Sequence, residues 1–242
     1  MRTLPTCRTK IVASVGPATD GLEQQLVAAG VSVFRVNFSH GDADEHRRRV
    51  HAVRAAATSA RQHVAVLGDL QGPKIRIGQF KDGQVQLQVG QQLTIGADIP
   101  DAAGTASEVG TTYPKLGEDC SAGDVLVLGD GLIELQVTKA AGDRVTCEVL
   151  TGGILGGGKG INKRGGGLSA AALTDKDRAD ILLAAELDVD YLAVSFPRSG
   201  ADLRLARELA EAANLNCHIV AKIERAETVA TTQSLDELIG AS

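Results

Sequence analysis

The chain's 242 residues predict an α/β fold built on a parallel sheet, with an all-β region inserted into it. Short runs rich in Val, Ile, Leu and Phe recur along the chain and turn polar at their C-terminal ends, amphipathic stretches separate them, and one central block switches to a two-residue alternation.

The elements follow in order. Residues 9–16 (TKIVASVG) read as a strand, 20–29 as a helix stopped by Gly30, 31–39 (VSVFRVNFS) as a strand, 42–61 as an Ala- and Arg-rich helix, and 63–70 (HVAVLGDL) as a strand. From 73 to 166 polar and apolar residues alternate, as in Gln84-Val85-Gln86-Leu87-Gln88-Val89, and Asp124 through Val137 folds about Gly129-Asp130-Gly131, with Asp130 in the hairpin turn. Residues 174–187 open on Thr174 with Asp177 three residues later and read as a capped helix. A strand at 191–196, a helix at 201–213, a strand at 217–224 and a helix at 234–240 complete the pattern. Nearly continuous apolar strands alternating with helices point to a covered parallel sheet, either doubly wound or a barrel. The expected division is 1–72 and 167–242 for the α/β part and 73–166 for the insert. The α/β part then has room for about five βα units at roughly 30 residues each. A closed eight-unit barrel takes roughly 250 residues, so the expectation is that the chain stops inside the fold.

Composition excludes several classes of function. Hydrophobic residues make up 43% and charged residues 23%, values of a folded protein. With four Phe, two Tyr and no Trp, the core must be aliphatic and a surface of stacked bases has nothing to build on. A net charge of −5 argues further against DNA or RNA. Cys7, Cys120, Cys147 and Cys217 show no paired spacing and make no metal-ligand pattern with the histidines, which fits a reduced, cytoplasmic protein. The N-terminus, with Arg2, Arg8 and Lys10 around Pro5, has no apolar stretch, and no run of 18 apolar residues occurs, so neither signal peptide nor membrane span is expected.

Candidate chemistry lies at the strand ends. Arg35, Asn37 and Ser39 share one face at the end of the second strand, Asp69 closes the third, and Lys222 and Glu224 stand two apart at the end of the fifth. Ligands of parallel α/β folds collect at the carboxyl ends of strands, so these side chains should converge. Two cations, two carboxylates and neutral oxygens suit a phosphate with metal ions. Residues 152–167 (GGILGGGKGINKRGGG) hold nine glycines with Lys159, Lys163 and Arg164. They read either as a hinge or as a lid over polyphosphate, with Arg76 on the facing edge of the insert. Gly153 to Lys159 fits G-x-x-x-x-G-K, but Gly160 replaces the Ser or Thr that would hold Mg²⁺ and no helix is expected to follow, so a P-loop is rejected. His46, His51 and His63 read as surface residues, and Arg47-Arg48-Arg49 as the solvated face of its helix.

The segments TKIVASVGPATD, FRVNFSHG, LGDLQGPKIR, GKGIN, DYLAVSF and IVAKIERAE, in this order, resemble pyruvate kinases over nearly the whole chain. The resemblance implies a TIM (β/α)8 barrel truncated after about five strands and interrupted by a small β-barrel lid domain. It implies phosphoryl transfer from phosphoenolpyruvate to ADP, giving pyruvate and ATP, with Mg²⁺ or Mn²⁺ and commonly K⁺, in a homotetrameric parent enzyme of glycolysis. By the same resemblance Arg35 binds the substrate phosphate and Lys222 stabilises the transferring group. Glu224 is one of two carboxylates on the divalent metal. Asn37, Ser39, Asp69 and the carbonyl of Leu70 form a monovalent-cation site, and Asn37, His40, Arg76 and Lys159 contact nucleotide.

Lys74 stands where K⁺-dependent members carry Glu, so K⁺ is expected to be dispensable. The family's second metal carboxylate, in an Arg-Gly-Asp-Leu-Gly strand, comes after the last residue here, so the chain alone is expected to be inactive and aggregation-prone. Two other readings are a metal-dependent pyruvate or enolate aldolase barrel, which has no use for Arg76 or Lys159, and a non-catalytic nucleotide-binding remnant.

Overall fold

The computed structural model describes residues 8–129 and 131–242; Asp130, expected in a turn, lies outside the described residues, as do Arg2, Pro5 and Cys7. In chain order the elements are β1 (Ile11–Val15), α1 (Glu23–Ala28), β2 (Val31–Asn37), α2 (Ala43–Ala60) and β3 (Ala65–Asp69). Then come β4 (Gln84–Leu87), β5 (Gln92–Gly96), β6 (Glu108–Gly110), a short helix α3 (Leu116–Asp119), β7 (Val125–Leu128), β8 (Ile133–Ala141), β9 (Arg144–Thr151), β10 (Gly153–Gly156) and β11 (Ile161–Lys163). The chain continues through α4 (Asp175–Glu186), β12 (Tyr191–Val194), α5 (Gly200–Ala212), β13 (His218–Ala221) and α6 (Thr232–Ala241). These form two compact units, one running to Pro73 and resuming at Ala171, the other Lys74–Ala170. No helix among the described residues is long and apolar enough to cross a membrane.

In the larger unit five strands form one wholly parallel sheet in the order β1-β2-β3-β12-β13. Phe34, Val36, Val66, Leu192, Val194 and Ile219 from the strands share one apolar cluster with Val50 and Val53 of α2, Ile181 of α4, Leu203 of α5 and Leu238 of α6. Burying each such side chain is worth about 1.5–3 kcal/mol, and this burial fixes which strand faces point inward. The expected capping box of α4 is present: Thr174 accepts from the Asp177 amide, and Asp177 accepts from the Thr174 amide. Asp177 is 0% exposed, and its second oxygen accepts the Gly72 amide at 3.0 Å. One buried carboxylate therefore holds the backbone at Gly72 and at Thr174, two points far apart in sequence.

The smaller unit has a six-stranded sheet, β11-β7-β8-β9-β5-β6, and a two-stranded ribbon, β10-β4. All pairs are antiparallel except β5 with β6. Alternation is clear on β9, where Val145, Cys147 and Val149 are buried between more exposed neighbours. Gly142, at φ +59, makes the two-residue turn between β8 and β9. The glycine-rich segment does not form a loose hinge from 152 to 163, because β10 and β11 run through it. A Cβ at Gly152 would sit 2.6 Å from the Leu87 carbonyl oxygen, and one at Gly157 2.9 Å from Gln79 Cα. These glycines admit close backbone approach.

Candidate active site

The polar strand ends of the larger unit meet on one buried carboxylate. Pairing of β2 with β3 sets Asn37 opposite Asp69, and Asp69 is 2% exposed. Arg35 donates to its Oδ2 from Nε at 2.7 Å and from Nη2 at 2.5 Å, while Nη1 reaches Ser14 Oγ, near the end of β1, at 2.7 Å. The Lys222 ammonium, just past β13, takes the other oxygen, Oδ1, at 3.1 Å. A buried carboxylate holding two cations is stabilised only because both are close and well aimed.

Glu224 stands beside Lys222, its Oε1 3.4 Å from the ammonium, and its Oε2 accepts the Phe196 amide at 3.1 Å. Ser195, just past β12, accepts from Lys222 at 2.7 Å and donates to the Leu70 carbonyl at 2.7 Å. Side chains from the ends of all five strands of this sheet thus touch in one cluster.

Asn37 ends β2, and Ser39 and His40 follow on from it in the same unit. Asn37 Oδ1 accepts the Ser39 amide at 3.0 Å, and the His40 amide donates to the Asn37 carbonyl at 3.3 Å, leaving the His40 side chain exposed at the turn. In the smaller unit Arg76 bridges Gly160 across antiparallel backbone, and its Nη1 donates to the Gly158 carbonyl at 2.5 Å. The Ile77 amide donates to the Lys159 carbonyl at 2.9 Å. Arg76 and Lys159 therefore lie on neighbouring stretches of backbone outside the strands, with the Lys159 side chain exposed. Lys74 also belongs to this unit, and its carbonyl accepts from Thr112 Oγ1 at 3.3 Å.

Two readings of helix α2 are corrected. His46 is not a surface residue: it is 5% exposed, edge-on to Phe38 with ring centroids 5.1 Å apart. Burial, the nearby Arg49 and Lys176 push its pKa down, against an opposing pull from Asp180 and Glu45. Arg49 is not on the solvated face either; it is 5% exposed and binds both oxygens of Asp20, at 2.8 and 3.1 Å.

Sequence reasoning passed over Ser14 and Ser195. Both carry the polar strand-end signal that marked Asp69, but a lone serine there also reads as an ordinary turn residue. Among the described residues no group of three or more His, Cys, Asp or Glu could hold a metal ion.

A family model described as "Pyruvate kinase, barrel domain" matches residues 6–242. The chain is 53% identical over 238 residues to a pyruvate kinase of Haemophilus influenzae, covering 97% of this chain and 50% of that protein. It is 50% identical over 238 residues to pyruvate kinase II of Salmonella typhimurium, covering 97% and 49%. Against a pyruvate kinase of Geobacillus stearothermophilus it is 42% identical over 241 residues, covering 97% and 40%. The chain spans about half the length of the curated relatives it matches. Its five parallel strands are barrel strands, and the chain belongs to the pyruvate kinase family.

Proposed function

We propose that a protein of the relatives' full length carrying this chain transfers the phosphoryl group of phosphoenolpyruvate to ADP, giving pyruvate and ATP, and that this chain supplies the phosphate-holding part of its site. One observation carries the reading: Arg35 and Lys222, from β2 and the end of β13, converge on opposite oxygens of Asp69 with Glu224 alongside. In the transfer the bond from phosphorus to the enol oxygen breaks, a bond to a terminal ADP oxygen forms, and the enolate takes up a proton as pyruvate. Such a reaction asks mainly for positioning and for neutralisation of charge on the moving group. Arg35 and Lys222 supply two positive charges, and Asp69 holds both in place before substrate arrives. Glu224 fits a divalent ion shared with substrate, because Mg²⁺ takes one or two carboxylates, phosphate oxygens and water. Bound there, Mg²⁺ or Mn²⁺ would add Lewis-acid neutralisation of phosphoryl charge. Arg76 and Lys159 are proposed as nucleotide contacts, together with Asn37 and His40.

We propose further that K⁺ is dispensable. Asn37, Ser39, Asp69 and the Leu70 carbonyl would form the monovalent-cation site, and Lys74 supplies a fixed positive charge where K⁺-dependent relatives carry Glu. In a protein of the relatives' full length carrying this chain, activity in KCl should match that in tetramethylammonium chloride at equal ionic strength; strong activation by KCl would overturn this point.

The main test is separate calorimetric titration of the chain with phosphoenolpyruvate and with ADP, each with and without Mg²⁺. Phosphoenolpyruvate should bind more tightly with Mg²⁺, and Arg35→Ala should abolish that binding. Phosphoenolpyruvate binding indifferent to both Mg²⁺ and Arg35 would overturn the reading.

A further inference from the structure

We infer that Ser195 is a positioning residue that aims the Lys222 ammonium, an inference that rests on the phosphoryl-transfer reading and adds a residue to it. The Ser195 hydroxyl has one hydrogen and two neighbouring acceptors, the Leu70 carbonyl at 2.7 Å and Asp69 Oδ1 at 3.4 Å. The hydrogen goes to Leu70. This leaves an oxygen lone pair facing Lys222 Nζ at 2.7 Å, shorter than the ammonium's contacts with Asp69 at 3.1 Å and Glu224 at 3.4 Å.

The surroundings fix the hydroxyl. Ser195 is 1% exposed, and Gly72, at φ +65, packs so closely that a Cβ there would lie 2.9 Å from both Ser195 Cβ and its carbonyl oxygen. Gly72 is itself held through its amide by the buried Asp177. The Leu70 amide donates to Ala193 and the Lys222 amide to Val194, so all three residues continue the register of β3, β12 and β13. A lysine on four flexible carbons otherwise has many rotamers. The serine selects one of them, with its direction set by packing rather than by charge.

Because Lys222 would act on charge that develops during transfer, loss of its aim should lower kcat more than it changes KM. In a protein of the relatives' full length carrying this chain, Ser195→Ala should lower kcat by about 10- to 100-fold, the scale of a misplaced catalytic group, with little change in KM. Ser195→Cys keeps the volume but is a poor acceptor, and should behave like Ser195→Ala.

A readout that needs no turnover comes from the chain itself. Acetylation of Lys222 by acetic anhydride, measured by mass spectrometry against the exposed Lys139, should be several-fold faster in both variants at fixed pH. Unchanged kcat, wild-type behaviour of Ser195→Cys, or an unchanged Lys222 to Lys139 acetylation ratio would each overturn the inference. Failure of phosphoenolpyruvate to protect wild-type Lys222 from acetylation, with the ratio still raised in the variants, would instead overturn the phosphoryl-transfer reading while leaving the serine's hold on the amine.

Discussion

Among the described residues the larger unit buries seven polar or charged side chains, His46, Arg49, Asp69, Asp177, Asp180, Ser195 and Thr228, whereas the smaller unit buries no charged side chain and, besides its cysteines, only the hydroxyl of Tyr113, which donates to Asp119. The smaller unit's core, from Ile77 to Leu168, is aliphatic apart from Phe80, Tyr113 and two cysteines. Its ion pairs range from exposed, as in Arg144 with Asp98, to half-buried, as in Lys163 with Asp124. Burying polar groups costs free energy unless each finds a partner. The larger unit accepts that cost where Asp69 and Ser195 prepare a charged rim and where Asp177 ties distant backbone together. The smaller unit rests mainly on apolar burial.

The largest expected effect tests the rim. In a protein of the relatives' full length, Lys222→Ala should cut turnover by about 10²–10³, by analogy with loss of one preorganised oxyanion donor, with an unchanged circular dichroism spectrum. Unchanged kcat would break the comparison at its centre.

Next comes stability. Asp177→Ala removes the acceptor of three hydrogen bonds, from the Gly72 amide, the Thr174 amide and the Thr174 hydroxyl. It should cost about 1–3 kcal/mol, the desolvation penalty of one buried group left unsatisfied. Asp124→Ala in the smaller unit breaks a half-buried pair with Lys163, 2.8 Å long, but leaves that ammonium its bond to the Asp119 carbonyl, and should cost about 1 kcal/mol or less. Urea denaturation of both variants would show whether the order holds; equal losses would erase the contrast between the units.

Thiol chemistry probes the smaller unit's dry core. Burial pushes the Cys147 thiol up to about 12 and Cys120 up to about 11. Iodoacetamide at pH 8 should leave both unmodified until the chain is unfolded; fast labelling of either in the native protein would show the core to be open.

The smallest effect is on pH dependence. The hydrogen bond from Lys163 holds Asp124 below the usual carboxylate range, so its contribution to stability is present above about pH 4 and is lost as pH falls through its folded value. Asp180 runs the other way. Burial raises it, outweighing Lys176, so its contribution is present at low pH and is lost as pH rises through its folded value. Asp124→Asn should flatten the acid limb of stability and Asp180→Asn should steepen it.

The five barrel strands and most of the rim were legible in the sequence, because apolar runs ending in Arg35, Asp69 and Lys222 carry both the strand signal and the exception to it. Burial of His46 and Arg49 was not. It depends on Phe38 and Asp20, which approach α2 only once the sheet has formed, while the helix itself reads as charged. The role of Asp177 was half legible: its local cap follows from the Thr174 spacing, but its bond to Gly72 spans 105 residues. The glycine run suggested freedom, yet close backbone packing demands glycine just as strongly as motion does.

In the proposed site, cations and carboxylates of separate strands gather to hold a phosphate beside a divalent ion. A crystal structure of the chain with phosphoenolpyruvate and Mn²⁺ tests it directly. Anomalous manganese density should be bonded to the Glu224 carboxylate, with the substrate phosphate within reach of Arg35 and Lys222. Manganese bound elsewhere, with those side chains still turned to Asp69 and no phosphate between them, would contradict it.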